Sequence, residues 1–416
     1  MINGGLGIAC HGLANALSKY VDLHVVLPKA DLTAQYDGYR VSSLDQSAAG
    51  EVTVAAAHRE TYKRFASIDL VEHPGISPYH YDEGETSVLE TTETETKEVV
   101  EYTTYQTNEF KIDKLYGEDV GQKVYEFSQA LKVQGLKYDF DVIHAHDWMT
   151  YQAGLELKAV TGKPLVVHLH ASQYDRAGPD ARGWIYDIER NGMHGADLVI
   201  PVSNYTGTIV ENHYGVSAAK IRTVHNGAER VDTFKSKKKF PEKVVLFLGR
   251  LTAQKGPEFF LEIASLVMAQ NSNVRFVMAG TGEKMRHLIE AGAFKGLGGR
   301  FHFTGFLNKD KVNELLSMTD VYCMPSVSEP FGLSALEAAQ FGIPAVISKQ
   351  SGVAEILKGA LHADFWDTEL MAEHINSLLT DEKLRDEVVA NSHADIAAST
   401  WEAASEKIVR LYEELV

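Results

Sequence analysis

KVVLFLGRLTAQKGPEFFLEIASLVMAQNSNVRFVMAG (residues 243–280) reads as strand, turn, helix, turn and strand. The flanking runs are apolar and β-branched without alternation, the pattern of strands covered on both faces. Between them, Phe259, Phe260, Ile263, Leu266 and Val267 fall on one face of a helix, and Pro257 marks its start. A strand, an amphipathic helix and another strand predict a parallel sheet wrapped by helices.

The alternation extends in both directions. Strands are predicted at LHVVL (23–27), DVIHAH (141–146), PLVVHLH (164–170), DLVIPVS (197–203) and IRTVHN (221–226). After the opening stretch come RFHFTG (300–305), DVYCMPS (320–326) and IPAVIS (343–348). Between the two sets, FKSKKKFPEK (234–243) is basic, poor in apolar residues and the best linker candidate. The expected fold class is α/β, with two Rossmann-like doubly wound domains at 1–235 and 236–400. A final amphipathic helix, 401–416, aligns Trp401, Ala404, Ile408, Leu411 and Leu415. One segment breaks the pattern: DEGETSVLETTETETKEVVEYTTYQ (82–106), rich in Thr and Glu. It reads as a solvated hairpin or insertion, or as part of a substrate mouth.

The chain has 416 residues and a formal net charge of −17. That balance argues against a nucleic-acid or anionic-membrane surface, though not against a small basic pocket. Two distant cysteines, Cys10 and Cys323, read as free thiols in a reducing compartment. No apolar run approaches a membrane span, and MINGGLG lacks a signal peptide's charged and apolar regions, so a cytoplasmic location is expected.

Two stretches carry the chemistry. In SVSEPFGLSALEAAQFGIPAVIS (326–348), a loop leads into a short helix ending at Gly342. The first amides of that helix, near Gly332, Leu333 and Ser334, and its dipole make an anion site. Glu329 precedes it and Glu337 lies within it. Either both are solvated glutamates at a helix start, or they accept hydroxyl hydrogen bonds from a ligand with hydroxyls on both sides of its phosphates. A sugar nucleotide is such a ligand. The second stretch, LFLGRLTAQKGPEFF, sets Arg250 and Lys255 at a strand-to-helix turn, a clamp for a pyrophosphate. Gly280 and Gly282 mark a further turn where backbone can approach a nucleotide. One D-x-D triplet, Asp139-Phe140-Asp141, reads as the start of a core strand, so no metal is expected there.

GRLTAQKG followed by SEPFGLSALEAAQFGIPAV resembles the donor half of the retaining glycosyltransferases with two facing Rossmann-like domains, the GT-B fold. INGGLGIACHGLANAL (2–17), PLVVHLHASQYDRAG (164–178), ADLVIPVSNYT (196–206) and VHNGAE (224–229) fit the same family, and DVIHAHDW (141–148) resembles a segment of glycogen and starch synthases. The resemblance implies roles. Glu329 would bind hydroxyls of the donor sugar, and the amides around Phe331, Gly332 and Leu333 would face the sugar and distal phosphate. Glu337 would bind the ribose, with Phe306 near the base. Arg250 and Lys255 would neutralise the departing diphosphate. Gly4, Gly5 and Gly7 would let an N-terminal loop reach the phosphates. His170 would stand near the transferred sugar on the acceptor side. His144, His146 and Asp147, at a strand end, would contact acceptor or support the loop. His168 reads as a core-strand histidine.

The resemblance implies a retaining hexosyltransferase moving glucose from ADP- or UDP-glucose to an α-glucan, with no cofactor. The alternatives are a lipid-linked, cell-wall or small-molecule acceptor, or a sugar-nucleotide sensor without catalysis. A dehydrogenase is disfavoured: Cys10 stands where the third glycine of G-x-G-x-x-G should be, and HVVLPK ends without an acidic residue. The final helix is expected to return to the N-terminal domain. In this fold the glycine loop follows a strand, yet only Met1 and Ile2 precede Asn3 and GGLG, so a native start upstream is expected.

Overall fold

Helix α1 (Gly4–Leu17) opens the computed structural model, which describes residues 4–30, 36, 38–45, 50–55, 102–107, 110–111, 120–228, 233–234, 236, 238 and 240–416. Gly4, Gly5 and Gly7 were expected in a loop ahead of this helix, but they lie in its first four residues, about one turn. Glycine is a poor helix former. Burial of Ala9, Leu13, Ala16 and Leu17 on one face supplies what propensity lacks. The expected preceding strand falls outside the described residues.

Strands β1 (His24–Leu27) and β2 (Arg40–Ser43) pair in parallel, and β3 (Gly50–Ala55) and β4 (Tyr102–Thr107) pair antiparallel. β4 takes up the last residues of the Thr/Glu-rich segment; positions 82–101 lie outside the described residues. After helix α2 (Val120–Gly135), three strands form a parallel sheet in chain order: β5 (Ile143–His146), β6 (Leu165–Leu169) and β7 (Leu198–Pro201). Helices α3 (Trp148–Thr161), α4 (Gln173–Ala177), α5 (Trp184–Gly195) and α6 (Asn204–Tyr214) complete this half. IRTVHN was expected as another strand. It runs beside β7, with Arg222 N–H donating to Val199 O at 2.9 Å and Val224 N–H to Pro201 O at 3.1 Å, but makes only an isolated bridge. Each of the other nine predicted apolar runs contains a strand.

The second half is one six-stranded parallel sheet. Its strands are β8 (Lys243–Leu248), β9 (Val274–Ala279), β10 (Phe301–Gly305), β11 (Val321–Met324), β12 (Ala345–Ser348) and β13 (Leu361–Ala363). They lie in the order β10-β9-β8-β11-β12-β13. Helices α7 (Pro257–Gln270), α8 (Met285–Phe294), α9 (Lys309–Leu316), α10 (Leu333–Gln340), α11 (Thr368–Thr380) and α12 (Glu382–Ala397) cover it. α7 buries Phe260, Ile263 and Val267 of the predicted stripe, together with Ala264, while Phe259 and Leu266 sit at its margin. Strand order reverses between β8 and β11. Ligands of doubly wound sheets bind at that reversal, beyond the carboxyl ends of the strands.

The last helix, α13 (Trp401–Glu413), buries Trp401, Ala404, Ile408 and Leu411 against α1 and the β6–β7 face. The Trp401 indole packs so closely on Gly12 that a Cβ there would lie 2.4 Å from its Nε1. Among the described residues no helix is long and apolar enough to cross a membrane.

Candidate active site

The two loops flanking the strand-order reversal are 249–256 after β8 and 325–332 after β11. They carry the residues singled out in the sequence. A 3-10 turn, Ala253–Lys255, follows β8, and its Gln254 carbonyl accepts from Val327 N–H at 2.9 Å. Gly256 closes the turn at φ 64°, and a Cβ there would lie 2.0 Å from Pro325 O. The loops are therefore stitched backbone to backbone.

This stitching brings Lys255 and Glu329 together as an ion pair. Glu329 is 6% exposed. Its backbone is pinned on both sides, with its N–H donating to Gln350 O and its O accepting from Gly352 N–H, each at 2.9 Å. Ser326 Oγ lies 3.5 Å from the same carboxylate oxygen. Helix α10 begins at Gly332, which adopts φ 107° and leaves the first amides without a side-chain cap. Phe331 is buried under this turn, Leu333 opens the helix, and Glu337 follows, half-buried. Arg250 points to solvent and makes no ion pair among the described residues. A cation held by a carboxylate, an exposed guanidinium and an uncapped helix start are groups with the chemistry to receive a phosphate-bearing ligand with hydroxyls.

Gly280 and Gly282 have a packing reason of their own. A Cβ at Gly280 would lie 1.8 Å from Gly249 O, and one at Gly282 would lie 2.4 Å from Leu251 O. They admit the neighbouring turn's backbone, whatever a ligand requires. Phe306 follows β10 on the same sheet edge and is 76% exposed.

The N-terminal half grips the Glu329 loop directly. Ser203 Oγ donates to Pro330 O at 2.7 Å and Thr206 Oγ1 to the same oxygen at 3.2 Å. Ser328 Oγ donates to the buried Asp175 at 2.6 Å and Tyr205 hydroxyl to Ser328 Oγ at 3.1 Å. Glu355 accepts from Asn204 N–H at 2.9 Å and Tyr205 N–H at 2.7 Å, and pairs with His225 at 2.6 Å. These positions were not found by sequence reasoning. Their signals, the S-x-x-D of Ser172–Asp175 and S-x-x-T of Ser203–Thr206, mark helix starts and say nothing of partners 124 to 153 residues away.

In the N-terminal half, β5 and β6 pair with His146 opposite His168. Side chains two apart share a face, so His144, His146, His168 and His170 stack in one column, with ring centroids 4.4 to 5.3 Å apart. His146 Nδ1 is 3.0 Å from His170 Nε2, and His144 Nδ1 pairs with the Tyr412 hydroxyl of α13. Burial, then His170, pulls His146 down to about 3; burial pulls His170 down to about 4. Burial also holds His144 and His168 well below the imidazole range. The column is uncharged at neutral pH. Asp147 sits at φ 58° and turns its carboxylate inward, accepting from His170 N–H at 2.7 Å and Ala171 N–H at 3.4 Å. These bonds tie the end of β5 to the residues after β6. Burial raises Asp147 to about 6 against the pull of those amides. Burial likewise pushes the nearby Cys10 thiol up to about 12.

The comparisons with known proteins agree with this architecture. The model of the group 1 glycosyl transferases matches residues 229–395 and that of glycosyltransferase family 4 matches residues 91–230. An uncharacterised glycosyltransferase of Methanocaldococcus jannaschii is 29% identical over 309 residues, spanning 69% of this chain and 78% of that protein. D-inositol 3-phosphate glycosyltransferase of Corynebacterium diphtheriae is 28% identical over 307 residues, 66% of this chain and 70% of that one. Sucrose-phosphate synthase from Thermosynechococcus elongatus superposes with a TM-score of 0.68 at 19% identity, covering 99% of this chain and 94% of that structure. The chain belongs to the group 1 glycosyltransferases of the GT-B fold. Membership implies transfer of a sugar from a nucleotide-sugar donor to a carbohydrate acceptor, with release of the nucleotide.

Proposed function

We propose that this glycosyltransferase moves a hexose, glucose first among them, from an ADP- or UDP-sugar with retention of anomeric configuration. The observation that carries the reading is the Lys255–Glu329 pair at the strand-order reversal. The pair joins the two functions a donor site needs: a cation for the diphosphate and a carboxylate for sugar hydroxyls. Arg250 adds the second cation, the α10 amides receive the distal phosphate, and Glu337 takes the ribose. The glycines of α1 approach the phosphates from the other half.

The reaction is attack on the face the diphosphate leaves. The bond from C1 of the sugar to the phosphate oxygen breaks while the acceptor oxygen bonds to C1. The acceptor's proton passes to the departing phosphate oxygen. The chain's residues position the reactants and stabilise charge. An uncharged His170 suits the acceptor side, where a sugar hydroxyl needs a hydrogen-bond partner and a positive charge would repel oxocarbenium character.

For the acceptor, the DVIHAHDW segment supports an α-glucan. The likeness to a D-inositol 3-phosphate glycosyltransferase over two thirds of the chain supports a second reading, a small phosphorylated polyol. A donor screen reading nucleoside diphosphate release, run with glycogen and with inositol phosphate, tests both. Release dependent on glycogen carries the first reading and release dependent on inositol phosphate the second. Binding of donor with no release on any acceptor supports a sensor instead.

A further inference from the structure

Glu329 stands between two residues whose hydrogen bonds reach into the other half of the molecule. On one side, Ser328 Oγ donates to Asp175 Oδ1 at 2.6 Å and accepts from the Tyr205 hydroxyl at 3.1 Å. On the other, Pro330 O accepts from Ser203 Oγ at 2.7 Å and from Thr206 Oγ1 at 3.2 Å. The halves meet there at backbone distance. A Cβ on Gly352, whose N–H donates to Glu329 O, would lie 2.2 Å from Pro330 O and 2.5 Å from Ser203 Cβ.

The two oxygens of Asp175 divide their work. Oδ2 accepts from Ser172 N–H and from Ser172 Oγ, each at 2.7 Å, and closes the box that starts α4. Oδ1 takes Ser328, 153 residues away in the chain. The start of α4 is complete without that second bond. Asp175 is 3% exposed and Ser328 6%. A buried hydroxyl on a carboxyl oxygen is held firmly, because each partner left alone would keep the full cost of its lost water.

We propose that Asp175 is a positioning residue for the transfer: through Ser328 it fixes where the Glu329 carboxylate stands, so that the N-terminal half completes the donor-sugar subsite. The inference rests on the reading that Glu329 binds hydroxyls of the donor sugar, and it separates the two ends of the donor. Arg250, Lys255 and the α10 amides, the groups for the diphosphate, all belong to the C-terminal half. Loss of the clasp therefore spares the diphosphate and is felt at the sugar, where a carboxylate displaced by about 1 Å no longer meets its hydroxyls.

Calorimetry on the full chain tests this with UDP, UDP-glucose, ADP and ADP-glucose, following the base that the wild type binds more tightly. Ser328→Ala and Asp175→Asn should each weaken the nucleotide sugar about tenfold or more, with affinity for the bare diphosphate within about twofold of wild type. Ser172→Ala removes the helix-start hydroxyl and leaves the Ser328 bond. It should lower Tm yet keep the wild-type ratio of the two affinities. Glu329→Ala should shift the ratio as well, and adding Ser328→Ala to it should shift it no further, because Ser328 acts through Glu329. A wild-type ratio in both Ser328→Ala and Asp175→Asn, with a shift in Glu329→Ala, overturns the inference and leaves the role of Glu329 standing. Equal weakening of diphosphate and nucleotide sugar overturns it too, since a merely structural clasp would act on both. A wild-type ratio in Glu329→Ala, or no binding of either nucleotide sugar by the wild type, overturns the donor reading together with the inference.

Discussion

The two halves of the molecule manage charge in opposite ways. Around the strand reversal of the C-terminal sheet, cation and carboxylate are paired, Lys255 with Glu329, and Arg250 is exposed at the surface. On the N-terminal sheet, burial strips charge away: four imidazoles are neutral, and Asp147 and Glu189 are pushed toward protonation at about 6 and about 7. The difference suits the ligands proposed for each half: a leaving diphosphate calls for fixed charge, whereas an attacking hydroxyl calls for uncharged hydrogen-bond partners. It also follows construction. The C-terminal site rests on tight backbone turns that no side chain could enter, and the N-terminal one on side chains that share the face of a sheet.

The largest expected effect tests the turns. Gly256→Ala forces a methyl group against Pro325 O, 2.0 Å away, at a left-handed φ. It should cost on the order of 4 kcal/mol in a denaturant titration. A loss below about 1 kcal/mol means that the two loops are not locked together as described.

The next effect tests charge stripping in the N-terminal half. Glu189 is fully buried, faces Tyr214 hydroxyl, Gln173 N–H and Arg176, and is raised by burial from 4.5 to about 7. A carboxyl raised in the folded state contributes stability below its unfolded pKa and loses it as pH climbs through the folded one. Between pH ~4.5 and ~8 the wild type should lose about 3 kcal/mol relative to Glu189→Gln. Parallel stability curves for the two proteins would show that Arg176 keeps the carboxylate ionised and would erase this contrast between the halves.

Glu329→Ala sharpens the comparison on the donor side. It should lower turnover about a hundredfold, near 3 kcal/mol, while the fold survives. Near-normal turnover in a folded variant removes Glu329 from the site. Arg250→Ala and Lys255→Ala should each weaken nucleoside diphosphate binding about tenfold, read by calorimetry, with chelator leaving that affinity unchanged. A metal requirement for diphosphate binding would sink the cation-only clamp.

The relation between sequence and structure also divides along this line. The C-terminal half was legible because its information is local: nonalternating strands, the 257–270 helix and the two loops are each contiguous stretches. Lys255 and Glu329 could be named from sequence because each lies in a motif of neighbouring residues, whereas the adjacency of β8 and β11 that pairs them came only with the structure. The N-terminal half was less so. The start of α1 was misplaced because glycines argue against a helix that packing nonetheless forms. IRTVHN has strand composition but gains only part of a ladder beside β7.

By itself, then, the sequence determined the β–α alternation, the family and the charged residues of the loops after β8 and β11, because these reside in short-range periodicity and in motifs of neighbouring residues. Only the tertiary structure decided that Ser203 and Asp175 clasp the Glu329 loop, that Tyr412 reaches back to His144, and that Cys10 meets His146 and His170. Those contacts join residues far apart in the chain. No local pattern encodes them, because they arise only when register sets which faces of β5 and β6 coincide and when α1 and α13 close over them.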